Sequence, residues 1–257
     1  MGKIHATAIV SKKANLESDV EVGAYAVIGD GVKINKGAKI GNFCVIDNDT
    51  TIGAGCKIFT GAVIGSIPQD LKYNGEPTSV VIGENNIIRE YVTINLSTAV
   101  GEPTTIGNNN LIMAYSHVAH DCRVGNHCVI ANGGTLAGHV AIEDRAVIGG
   151  LVAIHQFVRI GTMAIIGGCS KVVTDIPPYT MCDGHPARFY GLNTIGLKRA
   201  GVSEEVLKDL KDACKIFFHS ELTKKHALEE IKKTCSSSKE VDHLIEFLST
   251  SERGICH

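Results

Sequence analysis

Residues 117–148 read HVAHDC RVGNHC VIANGG TLAGHV AIEDRA VI when they are divided into groups of six. The second residue of every group is Val, Leu or Ile, and the sixth is a small residue or Val. An α-helix repeats every 3.6 residues and a half-buried strand every 2, so neither element produces a period of six. The stretch therefore predicts a solenoid that is built from six-residue sides.

The same period extends over most of the chain. Every sixth residue from Ile4 to Val172 is Ile, Val or Leu, and the only exceptions among 29 positions are Asp70 and Glu76. Residues two apart in a strand point to the same side, so the aliphatic residue and the small residue two before it both face inward. Three sides close a triangular coil of 18 residues, and 29 positions correspond to about ten coils.

The pattern resembles the hexapeptide repeats of the left-handed parallel β-helix. The handedness comes from the resemblance alone, because parallel connections are normally right-handed. We expect this mainly β domain over residues 1–176, with protruding loops near residues 66–79 and 96–105, where the coil is interrupted. Loops on a rigid scaffold are common places for functional residues.

Residues 177–257 are expected to form an irregular exit segment and a C-terminal α-helical domain. The first helix has Ser203 as its N-cap. Its apolar stripe consists of Val206, Leu207, Leu210, Cys214 and Phe217. Two more helices are predicted over residues 223–234 and 239–248. These amphipathic helices need a partner surface, either the end of the prism or a neighbouring chain.

Composition excludes several classes of protein. The formal net charge of −2 argues against a nucleic-acid binder. No apolar stretch approaches the ~18 residues of a membrane span, and the repeat begins at Ile4, so we expect neither an integral membrane segment nor a signal peptide. Four cysteines occupy the small inward position, which indicates core residues of a cytoplasmic protein rather than disulfides. They are Cys44, Cys56, Cys122 and Cys128.

Histidines concentrate between residues 117 and 155. A period of 18 places residues 18 apart directly above one another on adjacent coils. Two neighbouring columns at one corner of the prism result: His120, Gly138 and Gln156, and then Asp121, His139 and Phe157. This arrangement suits acyl transfer to a hydroxyl group.

Each residue of the first column, and Asp121 of the second, has a candidate role in that reaction. His120 is suited to act as the general base, because the pKa of imidazole lies near neutrality. Asp121 is a candidate to fix the tautomer of the imidazole. The backbone N–H of Gly138 could stabilise the oxyanion, and Gln156 could orient the acceptor.

Two other interpretations of the histidines exist. An isolated corner histidine is usually just solvated, and we assign that role to His127 and His155. The β-helical carbonic anhydrases bind zinc through three histidines, but the spacing from His117 to His120 does not match theirs. We therefore expect no metal site.

The segment HVAHDC at residues 117–122 resembles the UDP-N-acetylglucosamine acyltransferase family, hexapeptide-repeat enzymes that catalyse the first step of lipid A synthesis. The resemblance covers the whole chain, including the helical part. The segments that share its order and spacing are residues 67–73 (IPQDLKY), 135–140 (TLAGHV), 153–157 (AIHQF), 167–170 (GGCS), 191–193 (GLN) and 196–199 (GLKR).

The resemblance implies a role for each matching residue. His120 matches the general base, Asp121 its orienting neighbour, and Gly138 the oxyanion donor. Gly168 matches the position that limits acyl-chain length. The matching substrate-binding residues are Asp70, Lys72, His117, His139, Gln156, Asn193 and Arg199.

The resemblance also implies the partners. The family is a homotrimer whose acceptor is UDP-N-acetylglucosamine and whose donor is a 3-hydroxyacyl chain on the phosphopantetheine of acyl carrier protein. It needs no metal or diffusible cofactor and forms no covalent acyl-enzyme, which disfavours Cys122 as a nucleophile. The chain departs from familiar members at Ile195, where they carry glutamate, and at Asn95, where some carry histidine.

Two other classes of function stay open from the sequence. One is a related transferase, either the N-acyltransferase of the same pathway or an acetyl-CoA-dependent acetyltransferase. The other is a non-catalytic solenoid that acts as an interaction scaffold, which would leave the clustered histidines unexplained.

Overall fold

The computed structural model describes residues 3–257, so the first two residues of the predicted β domain lie outside it. Short strands recur at the six-residue period, and most end on the inward aliphatic residue. The strands, numbered β1 to β26 in chain order, are Lys3–Ile4, Ile9–Val10, Asn15–Leu16, Glu21–Val22, Val27–Ile28, Lys33–Ile34, Lys39–Ile40, Val45–Ile46, Asp49–Ile52, Lys57–Ile58, Val63–Ser66, Ser79–Ile82, Ile87–Ile88, Thr93–Asn95, Thr104–Ile106, Leu111–Ile112, His117–Val118, Arg123–Val124, Val129–Ile130, Thr135–Leu136, Ala141–Ile142, Val147–Ile148, Ala153–Ile154, Arg159–Ile160, Ile165–Ile166 and Lys171–Val172.

These strands form three parallel sheets, because each strand pairs with the third strand after it. The first sheet starts with β1, the second with β2 and the third with β3. In the regular coils the paired residues are 18 apart, as Val118 and Leu136 are. The prism therefore has nearly nine coils rather than the ten expected. The difference arises because Asp70, Glu76 and Val100 fall on the six-residue period but lie in loops, where Val100 is 64% exposed.

The inward residues form one continuous apolar core along the prism. Large aliphatic residues such as Ile130 and Leu136 are fully buried, and so are small ones such as Ala62 and Cys122. Burial of one such aliphatic side chain contributes about 1.5–3 kcal/mol, so the repeat supplies the folding free energy coil by coil. The predicted core positions of the four cysteines are confirmed, and all nine cysteines are free.

Two loops leave the prism at the same edge. Residues 67–78 connect β11 to β12, and residues 96–103 connect β14 to β15. Each pair of strands runs from the second sheet to the third, so both loops project from the edge between those sheets. His120, between β17 and β18, lies on the same edge, which we call the histidine edge.

The remaining residues extend the first sheet and then form helices. β27 (Thr180–Gly184) pairs with β25, and β28 (Ala187–Leu192) pairs antiparallel with β27. The helices are α1 (Thr194–Arg199), α2 (Glu204–His219), α3 (Lys224–Thr234) and α4 (Lys239–Ser249). They confirm the predicted helical part, and Ser203 caps α2 as expected. The β27–β28 hairpin and α1 are not predicted from the sequence. Across residues 3–257, no helix is both long and apolar enough to cross a membrane.

An ion pair connects the helices to the prism. His243 of α4 places its Nε2 2.7 Å from the Oε2 of Glu143, next to the end of β21. The same oxygen accepts hydrogen bonds from the N–H and the hydroxyl of Thr162, at 2.7 and 2.8 Å. Burial would raise the pKa of Glu143, but these hydrogen bonds outweigh it and lower the pKa. The hydrogen bond to Glu143 raises the pKa of His243 against the effect of burial.

We expect Glu143→Gln to lower the free energy of unfolding by about 1 kcal/mol near neutral and mildly acidic pH, because it removes this charge-assisted pair. The contribution of His243 is complete below its ordinary pKa of 6.5 and is lost as the pH rises through its raised pKa in the folded state. The difference between variant and wild type should therefore shrink in alkaline buffer. Thermal unfolding across a pH series measures it, with the exposed Glu229→Gln as control; a pH-independent difference would contradict the assignment.

Candidate active site

The stacking predicted from the period of 18 is confirmed on the histidine edge. The N–H of His139 donates to the carbonyl of His120 at 3.0 Å, and the N–H of Phe157 donates to the carbonyl of Gly138 at 3.1 Å. His120, Gly138 and Gln156 therefore lie on three successive coils. His120 is buried, with 7% of its surface exposed.

His120 and Asp121 form a tight pair. The Nδ1 of His120 lies 2.6 Å from the Oδ2 of Asp121, and each side chain is 9% exposed. A carboxylate acceptor assigns the proton to Nδ1, which leaves Nε2 with a free lone pair. Burial would raise the pKa of Asp121, but hydrogen bonds from His120 and Thr98 outweigh it and lower the pKa. The pair thus has the geometry of a general base with an orienting carboxylate.

Gly138 lies directly against the imidazole of His120. A Cβ at residue 138 would come within 2.4 Å of the Cε1 and 2.6 Å of the Nε2 of His120, so only glycine fits there. The N–H of Gly138 has no hydrogen-bond acceptor among residues 3–257. An unpaired N–H next to the free imidazole nitrogen can donate to an oxyanion that forms between them.

Two further histidines line the same edge. The Nδ1 of His117 is 2.7 Å from the hydroxyl oxygen of Thr93, and burial, then the nearby charge of His120, lowers the pKa of His117. The ring of His139 packs edge-on against His120 at 5.2 Å and stacks on Phe157 at 4.5 Å. Both rings are partly exposed, as substrate contacts require.

Sequence reasoning missed Thr98, in the loop 96–103. Its N–H donates to the Oδ1 of Asp121 at 2.9 Å, and its hydroxyl donates to the Oδ2 at 2.7 Å. The N–H of Asp121 in turn donates to the hydroxyl oxygen of Thr104, where the loop rejoins the prism. The repeat showed that a loop leaves the coil here, but no sequence signal indicates which loop residue folds back.

The other loop on this edge carries two predicted substrate contacts. Asp70 accepts a hydrogen bond from the N–H of Lys72 at 2.9 Å, and the side chain of Lys72 is exposed. Asn95, one coil above the base of this loop, donates from Nδ2 to the carbonyl of Ile67 at 2.9 Å. Asn95 therefore fixes the start of the loop, while its buried Oδ1 has no partner within residues 3–257.

One group of side chains has atoms close enough to bind a metal ion. Within residues 3–257 these are His120, Asp121 and His139, whose candidate ligand atoms all lie within 4.8 Å of one another. However, the Oδ2 of Asp121 already accepts hydrogen bonds from His120 and Thr98. We therefore interpret the group as a hydrogen-bonded pair with an edge-on neighbour, the Nε2 of His139 lying 3.4 Å from the Oδ2 of Asp121. The absence of a metal requirement stays a prediction.

The remaining predicted contacts lie on other edges of the protomer. Asn193 caps α1 by accepting from the N–H of Gly196, and it donates to the carbonyl of Met163 on the edge between the third and first sheets. Arg199, at the end of α1, is exposed. Gly168 lies on the edge between the first and second sheets. A single protomer thus does not bring these residues next to His120.

Comparison with known proteins identifies the family. A model described as UDP-N-acetylglucosamine O-acyltransferase, domain 2, matches residues 175–256, and bacterial transferase hexapeptide repeats match residues 25–60 and 103–138. The acyl-[acyl-carrier-protein]–UDP-N-acetylglucosamine O-acyltransferase of Thermodesulfovibrio yellowstonii is 52% identical over 257 residues, which is 100% of both chains. The chain belongs to the UDP-N-acetylglucosamine O-acyltransferase family. The predicted resemblance and the prediction of an acyltransferase are thereby confirmed.

Solved structures in this family have the same fold. LpxA from Acinetobacter baumannii matches with a TM-score of 0.96 and 42% identity, over 99% of both chains. LpxA, a UDP-N-acetylglucosamine acyltransferase from Bacteroides fragilis, matches with a TM-score of 0.95 and 39% identity, over 98% of this chain and 99% of that one. The predicted left-handed parallel β-helix with a C-terminal helical part is confirmed.

We expect Thr98→Val in this acyltransferase to lower kcat about 10-fold, because it removes one charge-assisted hydrogen bond from Asp121 without changing side-chain size. Loss of that bond raises the pKa of Asp121, so protonation of this carboxylate should reduce kcat/KM at a higher pH in the variant than in the wild type. Thr98→Ser keeps the hydroxyl and is the matched control. An unchanged pH profile in the valine variant would show that Thr98 is not needed to hold the carboxylate.

Proposed function

We propose that this protein transfers a 3-hydroxyacyl chain from acyl carrier protein to the 3-hydroxyl of UDP-N-acetylglucosamine, the first step of lipid A biosynthesis. The names of its relatives support the two substrates. The observation that carries the proposal is the juxtaposition of His120 and Gly138, which offers a free base nitrogen next to an unpaired backbone N–H. Attack of a hydroxyl on a thioester is catalysed by a base that takes the hydroxyl proton and by a donor that stabilises the oxyanion. Both groups must therefore lie next to the reacting atoms.

The proposed mechanism proceeds by direct attack. The Nε2 of His120 takes the proton from the 3-hydroxyl as its oxygen attacks the thioester carbon. Negative charge develops on the carbonyl oxygen, and the N–H of Gly138 donates a hydrogen bond to it. The C–S bond then breaks, and the proton on His120 passes to the thiolate of the carrier. Asp121 stabilises the imidazolium that exists between these steps.

The environment of Cys122 argues against a covalent intermediate on that residue. The side chain points into the core and is fully buried. Burial raises the pKa of the thiol to about 12, whereas a nucleophilic cysteine requires a lowered pKa and access to substrate. We therefore infer that hydroxyl attack on the thioester is direct.

We propose that the active unit is a homotrimer in the cytoplasm. The assigned substrate contacts lie on three different edges of one prism: His120 on one, Gly168 on a second, and Asn193 with Arg199 beside the third. Parallel packing of prisms would bring an edge of one copy against an edge of another. Free buried cysteines fit a reducing compartment.

Assays with alternative donors and acceptors test the function. The proposal expects transfer from 3-hydroxyacyl carrier protein to UDP-N-acetylglucosamine, and no comparable transfer from acetyl-CoA. Transfer to the 3-amino analogue of the acceptor at a higher kcat/KM would indicate the related N-acyltransferase instead. If purified protein transfers no acyl chain to any nucleotide sugar, the proposal is wrong.

We expect His120→Ala to reduce kcat by roughly 100- to 10,000-fold, because a positioned general base contributes about that much. His127→Ala removes an exposed histidine between β18 and β19, away from the histidine edge, and is the matched control. Light scattering should show that both variants keep the oligomeric state of the wild type. Near-normal turnover by the His120 variant would refute the assignment of the base.

We expect Gly168→Met to shift the donor preference to shorter acyl chains. Gly168 is exposed, and a Cβ there would lie 3.3 Å from the carbonyl oxygen of Gly150, so a side chain must extend outward from the edge. If the acyl chain follows this edge, as the family resemblance implies, the new side chain shortens the space for it. Mass spectrometry of products made from mixed-length donors measures the preference, and an unchanged distribution removes Gly168 as the limit.

A further inference from the structure

Residues 250–256, which we call the strap, cross the histidine edge above the site. They pair with the last corner of the prism: the N–H of Asp175 donates to the carbonyl of Gly254, and the N–H of Cys256 donates to the carbonyl of Asp175, both at 2.9 Å. The side chain of Cys256 is buried, with 1% exposed. The strap is therefore part of the packed structure on this edge.

A buried carboxylate fixes the position of the strap. Asp175 is 0% exposed, and its two oxygens accept hydrogen bonds from the N–H of Arg159 and the hydroxyl of Ser251, both at 2.8 Å. The guanidinium of Arg159 donates to Thr250 at 3.1 and 3.2 Å and lies 4.2 Å above the ring of Phe247. A buried charge is costly unless it is fully paired, so these contacts define one position for the strap.

The strap places Arg253 beside the catalytic column. Its Nη2 donates to the Nδ1 of His155 at 3.0 Å and to the carbonyl of Val173 at 3.4 Å. His155 precedes Gln156, which is two coils above His120, or about 10 Å along the edge. The guanidinium therefore lies within reach of a substrate whose reacting atom is at His120.

The charge of Arg253 is not paired with an acidic group in the described part of the chain. Within residues 3–257, no carboxylate oxygen lies within 4.0 Å of its guanidinium. Its Nε and Nη1 donate no hydrogen bond to those residues, and the side chain is exposed. Three N–H donors thus remain on a cation that is held in one place.

Glu252, which precedes Arg253 in the strap, borders the site on the other side of the histidine edge. Glu252 lines a cavity of about 320 Å³ together with Asp121, His139 and Arg159. The strap therefore lines one side of the site and also crosses the histidine edge above it. A ligand that fills this cavity and extends along the edge would meet Arg253.

We propose that Arg253 binds a phosphate group of a substrate. This inference rests on the proposed function, in which both substrates carry phosphate: the diphosphate of the nucleotide sugar and the phosphodiester of the phosphopantetheine arm. Guanidinium groups form strong charge-assisted hydrogen bonds with phosphate oxygens. Because this contact is equal in the ground state and the transition state, it acts on substrate affinity rather than on the chemical step.

Calorimetric titration of Arg253→Ala tests the proposal and separates the two sources of phosphate. One arm titrates UDP-N-acetylglucosamine, and the other titrates a 3-hydroxyacyl phosphopantetheine. We expect the Kd of one of them to rise about 10- to 100-fold, with kcat within a few-fold of wild type. Lys232→Ala removes one exposed positive charge from α3 and is the control, for which neither Kd should change.

Two conservative variants distinguish phosphate binding from a purely structural role. Arg253→Gln keeps a donor for His155 but removes the charge, so we expect unchanged thermal unfolding and the same loss of affinity as in the alanine variant. Arg253→Lys keeps the charge, so we expect it to recover part of the affinity. If all three variants bind both ligands as the wild type does, or if they lose only thermal stability, the inference is wrong.

Inorganic phosphate provides an independent probe of the same site. It should inhibit the wild type competitively against the affected substrate and inhibit Arg253→Ala less. Equal inhibition of both proteins would count against a phosphate contact at Arg253. A wild-type protein that binds and transfers nothing would overturn the proposed function together with this inference, whereas an active wild type with unaffected Arg253 variants overturns the inference alone.

Discussion

The hydrogen-bonded register between successive coils is the constraint on which the rest of the structure depends. One coil cannot bury its own aliphatic residues, so each coil is stable only when its neighbours cover it. Parallel pairing at an offset of 18 residues, as between Ile130 and Ile148, satisfies the backbone and closes the core in the same step. Every residue on an edge therefore has a defined neighbour one coil above and one below.

The arrangement of the candidate active site is a consequence of this register. Because coils stack directly, a histidine at one corner meets the corner residue of the next coil, and glycine at position 138 leaves the space that the imidazole occupies. The insertions at residues 67–78 and 96–103 do not disturb the stacking, since Val80 still pairs with Thr50 and Thr104 with Val80. The prism thus tolerates long loops on one edge while His120, Gly138 and Gln156 stay aligned on successive coils.

The charged residues on the histidine edge differ in how far they are buried and in whether they are paired. Asp175 is fully buried, and the side chain of Asp121 is 9% exposed. The oxygens of both acids are paired, and Asp121 holds the imidazole of His120 in place while Asp175 holds the strap. Arg253 is exposed and has no acidic partner within the described part of the chain. Paired groups fix geometry, whereas an unpaired cation on a rigid support is available to a ligand.

The sequence by itself determined the β-helix and its columns, because a six-residue period buries the aliphatic residues on one side only in a coil of six-residue sides. The left hand of the coil followed from the family resemblance and not from the period. It also located His120, Asp121 and Gly138 together, since an offset of 18 is readable without coordinates. Only the tertiary structure decided which loop residue contacts Asp121, because the path of the loop 96–103 has no period. The same holds for the strap, whose hydrogen bonds to Asp175 join residues far apart in the chain. It also holds for the number of coils, since Asp70, Glu76 and Val100 fall on the six-residue period but lie in loops.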